Sequence, residues 1–318
     1  MAEIIITGGA GLQGSKLTKK LVSMGHSVAC IDNGRREGWR NLDGVDVDRI
    51  QWDLREPFPE LFRGAKTVFH LAANVGGVEY ISKNDRDVML DNLQIDANVV
   101  RMAREARIKK FVFASTACTY PIERQQEWDS VLQEDMAFDP VHPESGYGWA
   151  KLTMEVQLSK LRDEMEVEIL RLFNVYGPGE DFGPESHAVP ELIRKALFDE
   201  KVVVYGDGSA GRCFLYVDDA VSAYIAAFEK GTRGLPINIG HPAPVRIEGL
   251  ATMIQEIAGT DKPVVFDPSK PEGVKGRVPD IKRAEKILDW HPKTTLIKGL
   301  KPTIDFVRSQ KVPLAGIR

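Results

Sequence analysis

Glu3-Ile4-Ile5-Ile6-Thr7-Gly8-Gly9-Ala10-Gly11-Leu12-Gln13-Gly14 is the stretch whose reading decides the fold. Residues 3–7 are a short apolar, β-branched run, the pattern of a buried strand. Glycines follow at once, and an apolar face of Leu12, Leu17, Leu21 and Val22 predicts a helix to about Met24, stopped by Gly25. Strand, glycine turn and helix in that order make a phosphate cradle, because unpaired backbone N–H groups at a helix start point at an anion. Gly8 and Gly11 permit the tight turn and the close approach of a pyrophosphate, while Gly14 lets the helix pack on the strand. Leu12 and Gln13 sit in the same turn as candidate cofactor contacts. The spacing is G-x-x-G-x-x-G rather than G-x-G-x-x-G.

Ser27 to Ile31 predicts the second strand, ending in Asp32 and Asn33. An acid about 20 residues beyond the loop suits ribose hydroxyls and repels a 2′-phosphate, which favours NAD over NADP. Arg35 and Arg36 are the counter-signal, since they are able to receive a phosphate; a solvated loop is the favoured reading of both. Asp53 and Leu54 follow a further short strand, and Asp53 is a candidate for the adenine amino group. Thr67 to Ala73 is a buried strand running into Leu71, Ala72 and Ala73, small residues suited to backbone lying against a cofactor. His70, inside that run, reads as a satisfied core residue. Gly76, Gly77 and Val78 then form a loop at the presumed nicotinamide end. A helix from about Arg86 to Arg107 leads into the strand Phe111–Ala114. Alternation of strands and helices predicts an α/β fold with a doubly wound parallel sheet, whose ligands bind outside the carboxyl ends of the strands.

At the end of that last strand stand Ser115-Thr116-Ala117-Cys118-Thr119-Tyr120-Pro121, and further on Tyr147-Gly148-Trp149-Ala150-Lys151. Tyr147 and Lys151, four apart at a helix start, project from one face. A phenol with a pKa of about 10 is a poor base at neutral pH, and a nearby ammonium favours its phenolate. Thr116 completes a proton-transfer device aimed at an alcohol or ketone. The null for the pair is an ordinary amphipathic helix start; for Cys118 it is a small buried apolar residue.

The totals bound the rest. The chain has 318 residues, 43% hydrophobic and 28% charged, with net charge −4 and pI near 6.0. That balance makes no electrostatic case for nucleic acid or a membrane surface. No apolar run is long enough to span a bilayer. Cys30, Cys118 and Cys213 form neither a disulfide framework nor metal-type spacing, which fits a reducing cytoplasm.

Together, Thr7-Gly8-Gly9-Ala10-Gly11-x-x-Gly14, Asp32, Leu71-Ala72-Ala73, Thr116 and Tyr147/Lys151 resemble the extended short-chain dehydrogenase/reductase superfamily. From about Glu3 to Phe306 the chain resembles its nucleotide-sugar epimerases and dehydratases. Within them it is most similar to the GDP-mannose 3,5-epimerase and GDP-L-fucose synthase families. The residues that carry this are Ala72-Ala73-Asn74-Val75-Gly76-Gly77, Ser115 to Pro121, Ser186-His187-Ala188-Val189-Pro190 and Pro271-Glu272-Gly273-Val274-Lys275-Gly276-Arg277. The resemblance implies Cys118 and His187 as a proton-transfer pair at sugar carbons; without it His187 reads equally as a surface loop residue. It also implies substrate contacts at Asn174, Val189, Arg212 and Arg277, with Lys195 a weaker candidate, and two arginines suited to a diphosphate.

The domain expectation is a Rossmann part over 1–175, to which about 210–240 return, and a mainly substrate-binding part over 176–318. The chemistry implied is transient oxidation at C4 by NAD, proton transfer at C3 or C5, and re-reduction. A homodimer, a GDP-sugar and a cytoplasmic location are implied. Alternatives are a 4-epimerase, an NADPH-dependent epimerase/reductase, against which Asp32 argues, and a silent dinucleotide-binding scaffold, against which the Thr116/Tyr147/Lys151 set argues. A 4,6-dehydratase fits less well, because Thr116 is not followed by Asp-Glu.

Overall fold

The computed structural model describes residues 2–36, 38–183 and 185–310. The end of the expected second part, 311–318, and Pro184 of its Gly/Pro-rich start lie outside the described residues.

Strand Ile4–Thr7 is buried along its whole length because its side chains feed two separate cores. Ile4 and Ile6 pack with Leu17, Leu21, Ala220 and Tyr224 on one side of the sheet. Ile5 packs with Val68, Ile95, Val99, Met154 and Leu158 on the other. Alternate residues of a strand point to opposite faces, so a strand covered on both faces reads as a continuous apolar run. Helices Leu12–Ser23 and Val217–Lys230 cover the first face, Asp85–Glu105 and Gly146–Ser159 the second.

Seven strands lie in the order Pro236–Ile239, Glu166–Leu172, Lys110–Thr116, Thr67–His70, Ile4–Thr7, Val28–Asp32 and Asp48–Gln51. Every neighbouring pair is parallel. The expected doubly wound parallel sheet is therefore present. Strand order reverses between Ile4–Thr7 and Thr67–His70, and their carboxyl ends open the crevice in which such sheets bind ligands.

A third core lies under helices Ala188–Phe198, Ile247–Ala258 and Leu296–Ser309, with Ile193, Val202, Phe214, Leu250, Ile254 and Ile304 at its centre. Short strands Val245–Arg246, Gly211–Arg212, Gly276–Pro279 and Val131–Leu132 make a small sheet that ties the second half of the chain to the first. Tyr216 holds the cap position of helix Val217–Lys230, and Asp218 and Asp219 both lie inside its first turn. The Asp219 carboxylate accepts from the backbone N–H of Lys293 (3.1 Å) and Thr294 (2.8 Å), so it anchors a loop from elsewhere.

Candidate active site

The crevice is a cavity of about 870 Å³, and every candidate cofactor, catalytic and substrate residue named from the sequence lines it. Glycines shape its floor. Gly8 has φ +71°, and a Cβ there would lie 2.7 Å from the Ala72 backbone nitrogen; a Cβ on Gly14 would lie 2.1 Å from the Gly8 carbonyl oxygen. The helix therefore starts hard against the turn. Gly11 faces open space on all but one side, with its nearest atom at 3.4 Å.

Asp32 ends its strand with both oxygens engaged yet facing the cavity: Ala10 N–H donates to Oδ2 (3.1 Å) and Gly34 N–H to Oδ1 (2.9 Å). Burial pushes its carboxyl up, and these N–H groups oppose that. Each oxygen keeps a lone pair, which fits ribose hydroxyls. Arg36 is not aimed at this position. It donates to the Val75 carbonyl, lies 3.8 Å from Asp181 and sits over the Tyr80 ring. Asp53 lines the cavity with each oxygen accepting from Arg55, Nε at 3.1 Å and Nη2 at 2.7 Å. Gln13 lines the wall with its Oε1 accepting from the Tyr224 hydroxyl (2.9 Å).

Strand Lys110–Thr116 delivers Thr116 and, one turn of 3₁₀ helix later, Cys118. Thr116 Oγ1 accepts from the Cys118 N–H (3.1 Å), which fixes the two relative to each other. Ser145 caps helix Gly146–Ser159, accepting from Gly148 N–H at 3.3 Å. A Cβ on Gly148 would stand 2.1 Å from the Cys118 carbonyl, so this glycine is what allows the Tyr147 turn to meet the Cys118 loop.

Tyr147 and Lys151 are both buried in the cavity wall. Lys151 Nζ has no hydrogen-bond partner; it lies 3.5 Å from Asp96 Oδ1 and over the Phe113 ring. Lys151 Nζ also lies 5.9 Å from the centre of the Tyr147 ring, where its charge would favour the phenolate. Burial, then the nearby Cys118 and Asp96, hold the Tyr147 phenol well above its ordinary value. Burial also pulls Lys151 down, against the Asp96 carboxylate. The lysine's charge is offset by an acid that the sequence reading did not single out.

Two further corrections concern the cations. Arg277 lies against the thiol as well as the cavity: Nη1 donates to Cys118 Sγ (3.4 Å), Nε to Gln125 Oε1 (2.8 Å), and Nη2 pairs with Glu144. Burial nevertheless pushes the Cys118 thiol up, with Arg277 pulling against it and Glu144 adding to it. Burial and the like charge of Arg277 bring Arg212 down to about 10; its Nη1 and Nη2 donate to the Gly211 and Glu272 carbonyls. Lys195 turns back into its own domain, donating to the Val203 carbonyl (2.8 Å) and pairing with Glu191 (2.8 Å).

Asn174, at φ +41°, donates to the Cys213 carbonyl (2.8 Å). His187 caps helix Ala188–Phe198 with a side chain 48% exposed, its Nδ1 2.8 Å from Glu180 Oε1. His70 is fully buried between Thr7 and Asp96, a core residue as expected. Sequence reasoning missed Asp96, Glu144 and Glu180. Only Asp96 carried a signal, an acid at position 96 beside the apolar Ile95 and Val99 of a buried helix; the other two lie in loops without periodicity.

These residues fit NAD: a glycine turn at a helix start, an acid at the ribose position, and a buried ammonium with no hydrogen-bond partner in the wall of the same cavity. Comparison with known proteins agrees. Residues 4–240 match the model of the NAD dependent epimerase/dehydratase family. The chain is 31% identical to a UDP-N-acetyl-alpha-D-glucosaminuronate decarboxylase of Bacillus cytotoxicus, over 96% of this chain and 97% of that one. It is also 31% identical to the GDP-mannose 3,5-epimerase of Arabidopsis thaliana, over 97% of this chain and 82% of that one. Among solved structures, UDP-glucose 4-epimerase of Thermotoga maritima superposes with a TM-score of 0.87 at 30% identity, covering 96% and 98% of the two chains. UDP-glucuronic acid 4-epimerase of Bacillus cereus, in complex with UDP-glucuronic acid and NAD, gives 0.85 at 26%, also covering 96% and 98%.

Proposed function

The chain belongs to the NAD dependent epimerase/dehydratase family and is an NAD-dependent enzyme acting on nucleotide sugars, and from that premise we propose that it is a GDP-mannose 3,5-epimerase-like isomerase. The observation that carries the reading is the Cys118 thiol, two residues beyond Thr116, with the Arg277 guanidinium 3.4 Å from its sulfur in the cavity that Tyr147 lines. Inversion at C4 alone needs no acid or base there.

Gly8, Gly11 and Asp32 hold the cofactor's pyrophosphate and ribose, and Lys151 the second ribose. Bound NAD⁺ supplies reversible hydride acceptance at C4. Tyr147 takes the C4 hydroxyl proton while Thr116 orients that hydroxyl. The resulting ketone acidifies the hydrogens on C3 and C5. Cys118, as thiolate stabilised by Arg277, and His187, oriented by Glu180, remove a proton from one face of the ring and return one to the other. Tyr147 would give its proton back to the C4 oxygen as the bound cofactor returned its hydride, so the sugar would leave inverted with no net redox change. Arg212 meets the diphosphate, and Asn174, Val189, Gly76, Gly77 and Val78 surround the sugar nucleotide.

A second reading, decarboxylation of a UDP-uronate, is favoured by one feature: Arg212 and Arg277 stand together in the cavity wall around Glu144, two cations suited to a sugar carboxylate. A homodimer through helices Asp85–Glu105 and Gly146–Ser159 is supported by Leu90, Trp149 and Val156, which those helices leave exposed. The three unpaired cysteines fit a cytoplasmic setting.

Incubation with GDP-mannose and NAD⁺ in deuterated water tests the main reading. Deuterium at C3 or C5 without net NADH, lost in Cys118→Ala, is the expected result. Absence of label together with carbon dioxide release from UDP-glucuronate selects the decarboxylase, and inversion at C4 alone on UDP-sugars selects a 4-epimerase.

A further inference from the structure

Beneath the Tyr147/Lys151 pair runs a buried polar chain that the proposed reaction does not use. Thr7 Oγ1 lies 2.7 Å from His70 Nδ1, His70 Nε2 lies 2.9 Å from Asp96 Oδ1, and the same oxygen stands 3.5 Å from Lys151 Nζ. Asp96 is 2% exposed, His70 0% and Lys151 1%. The second oxygen of Asp96 and the ammonium of Lys151 both lack a hydrogen-bond partner, an expensive arrangement for buried charges unless each offsets the other.

We propose that Asp96 is a positioning residue for Lys151: braced by His70, its carboxylate anchors the ammonium from below the cavity and offsets its charge, limiting how strongly Lys151 favours the phenolate of Tyr147. Geometry supports each part. At 3.5 Å the contact is an ion pair rather than a hydrogen bond, so the ammonium keeps its three N–H groups for other partners. His70 enters from strand Thr67–His70 and Asp96 from helix Asp85–Glu105, so the brace spans two elements that packing already fixes. The groups that bear on Tyr147 are Lys151, whose Nζ lies 5.9 Å from the centre of its ring, and, against that positive charge, Asp96, Cys118 from the neighbouring loop and Tyr224 from helix Val217–Lys230. Burial keeps His70 below its ordinary value, so the brace is a neutral ring and Asp96 is the negative end of the chain.

The inference rests on the reading of Tyr147 as proton acceptor, but its test uses no sugar, so failure of the labelling experiment leaves it standing. The full chain saturated with NAD⁺ is titrated into mildly alkaline pH while circular dichroism confirms the fold. Tyrosinate absorbance is read as the difference from Tyr147→Phe in the same background. Asp96→Asn is expected to raise the ionised fraction of Tyr147 at a fixed pH by roughly tenfold, the effect of one nearby charge acting as about one pH unit. Asp96→Thr, which keeps a hydroxyl for His70, gives the same reading should the amide variant misfold, and Asp96→Glu restores the wild-type signal. Neutral variants that change only the melting temperature, with an unchanged or lower tyrosinate signal, overturn the proposal.

Discussion

Replacing Gly14 with alanine adds one methyl group at the point where helix Leu12–Ser23 meets the glycine turn. That Cβ would stand 2.1 Å from the Gly8 carbonyl oxygen and 2.8 Å from both the Gly8 carbonyl carbon and Gly9 Cα. All three are backbone atoms, so no side chain can swing aside. Ordinary contact begins at 3.4 Å, so the turn must retreat by about 1 Å. It has nowhere to go, because Gly8 is itself pressed on Ala72, whose nitrogen stands 2.7 Å from the Cβ that Gly8 lacks. Overpacking of this kind costs about 1–3 kcal/mol in stability. The larger effect falls on NAD: one lost N–H contact to a charged pyrophosphate, about 1.5–3 kcal/mol, weakens binding roughly 10- to 150-fold. Isothermal titration calorimetry with NAD⁺ at a temperature where both proteins are folded measures it. Gly11→Ala is the internal control, since Gly11 has an ordinary φ of −68° and its nearest neighbour at 3.4 Å, so this variant folds with wild-type stability. Gly14→Ala protein that is folded and binds NAD⁺ within about twofold of wild type would refute the steric argument.

Arg171 is fully buried, its Nη2 2.6 Å and its Nε 2.9 Å from the two oxygens of Glu155. Arg171→Met strands that acid and should cost roughly 3–5 kcal/mol, visible as a fall of several degrees in melting temperature; the double change with Glu155→Leu should recover most of it. Glu79 is pulled down to about 2 from 4.5, by Lys270 first and then Lys83 and Tyr205. A depressed acid contributes stability that is complete above its unfolded value and is lost as pH falls from about 4.5 through about 2. The melting-temperature gap between wild type and Glu79→Gln should therefore be full at neutral pH and close across that window; a gap independent of pH would contradict the assignment. Trp149→Glu combined with Val156→Glu should yield monomers by light scattering at concentrations where wild type is dimeric, and an unchanged mass would exclude that helix face as the interface.

The sheet was legible because burial on both faces forces a strand to read as an unbroken apolar run, as Ile4-Ile5-Ile6 and Phe111-Val112-Phe113 do. The glycine turn was legible because φ > 0 and close backbone approach leave few residue choices. Candidate side chains at strand ends, such as Asp32 and Thr116, were found for the same reason: topology sends all carboxyl ends to one rim. The electrostatic partners were not legible. Asp96 meets Lys151 across two helices, Glu144 meets Arg277 across 133 residues, and Arg55 pairs with Asp53 in a local turn. No periodicity encodes such pairings.

Sequence by itself thus determined the fold class, the NAD turn and which residue types share one rim, since each follows from local pattern and from the direction of parallel strands. Only the tertiary structure decided the charge state of the site. It placed Arg277 on the Cys118 thiol, Glu180 on His187 and Asp96 under Lys151, and it buried Tyr147 so that desolvation, with Cys118 and Asp96 adding to it, holds the phenol up. Those balances depend on distance and burial in three dimensions, quantities that a one-dimensional pattern does not carry.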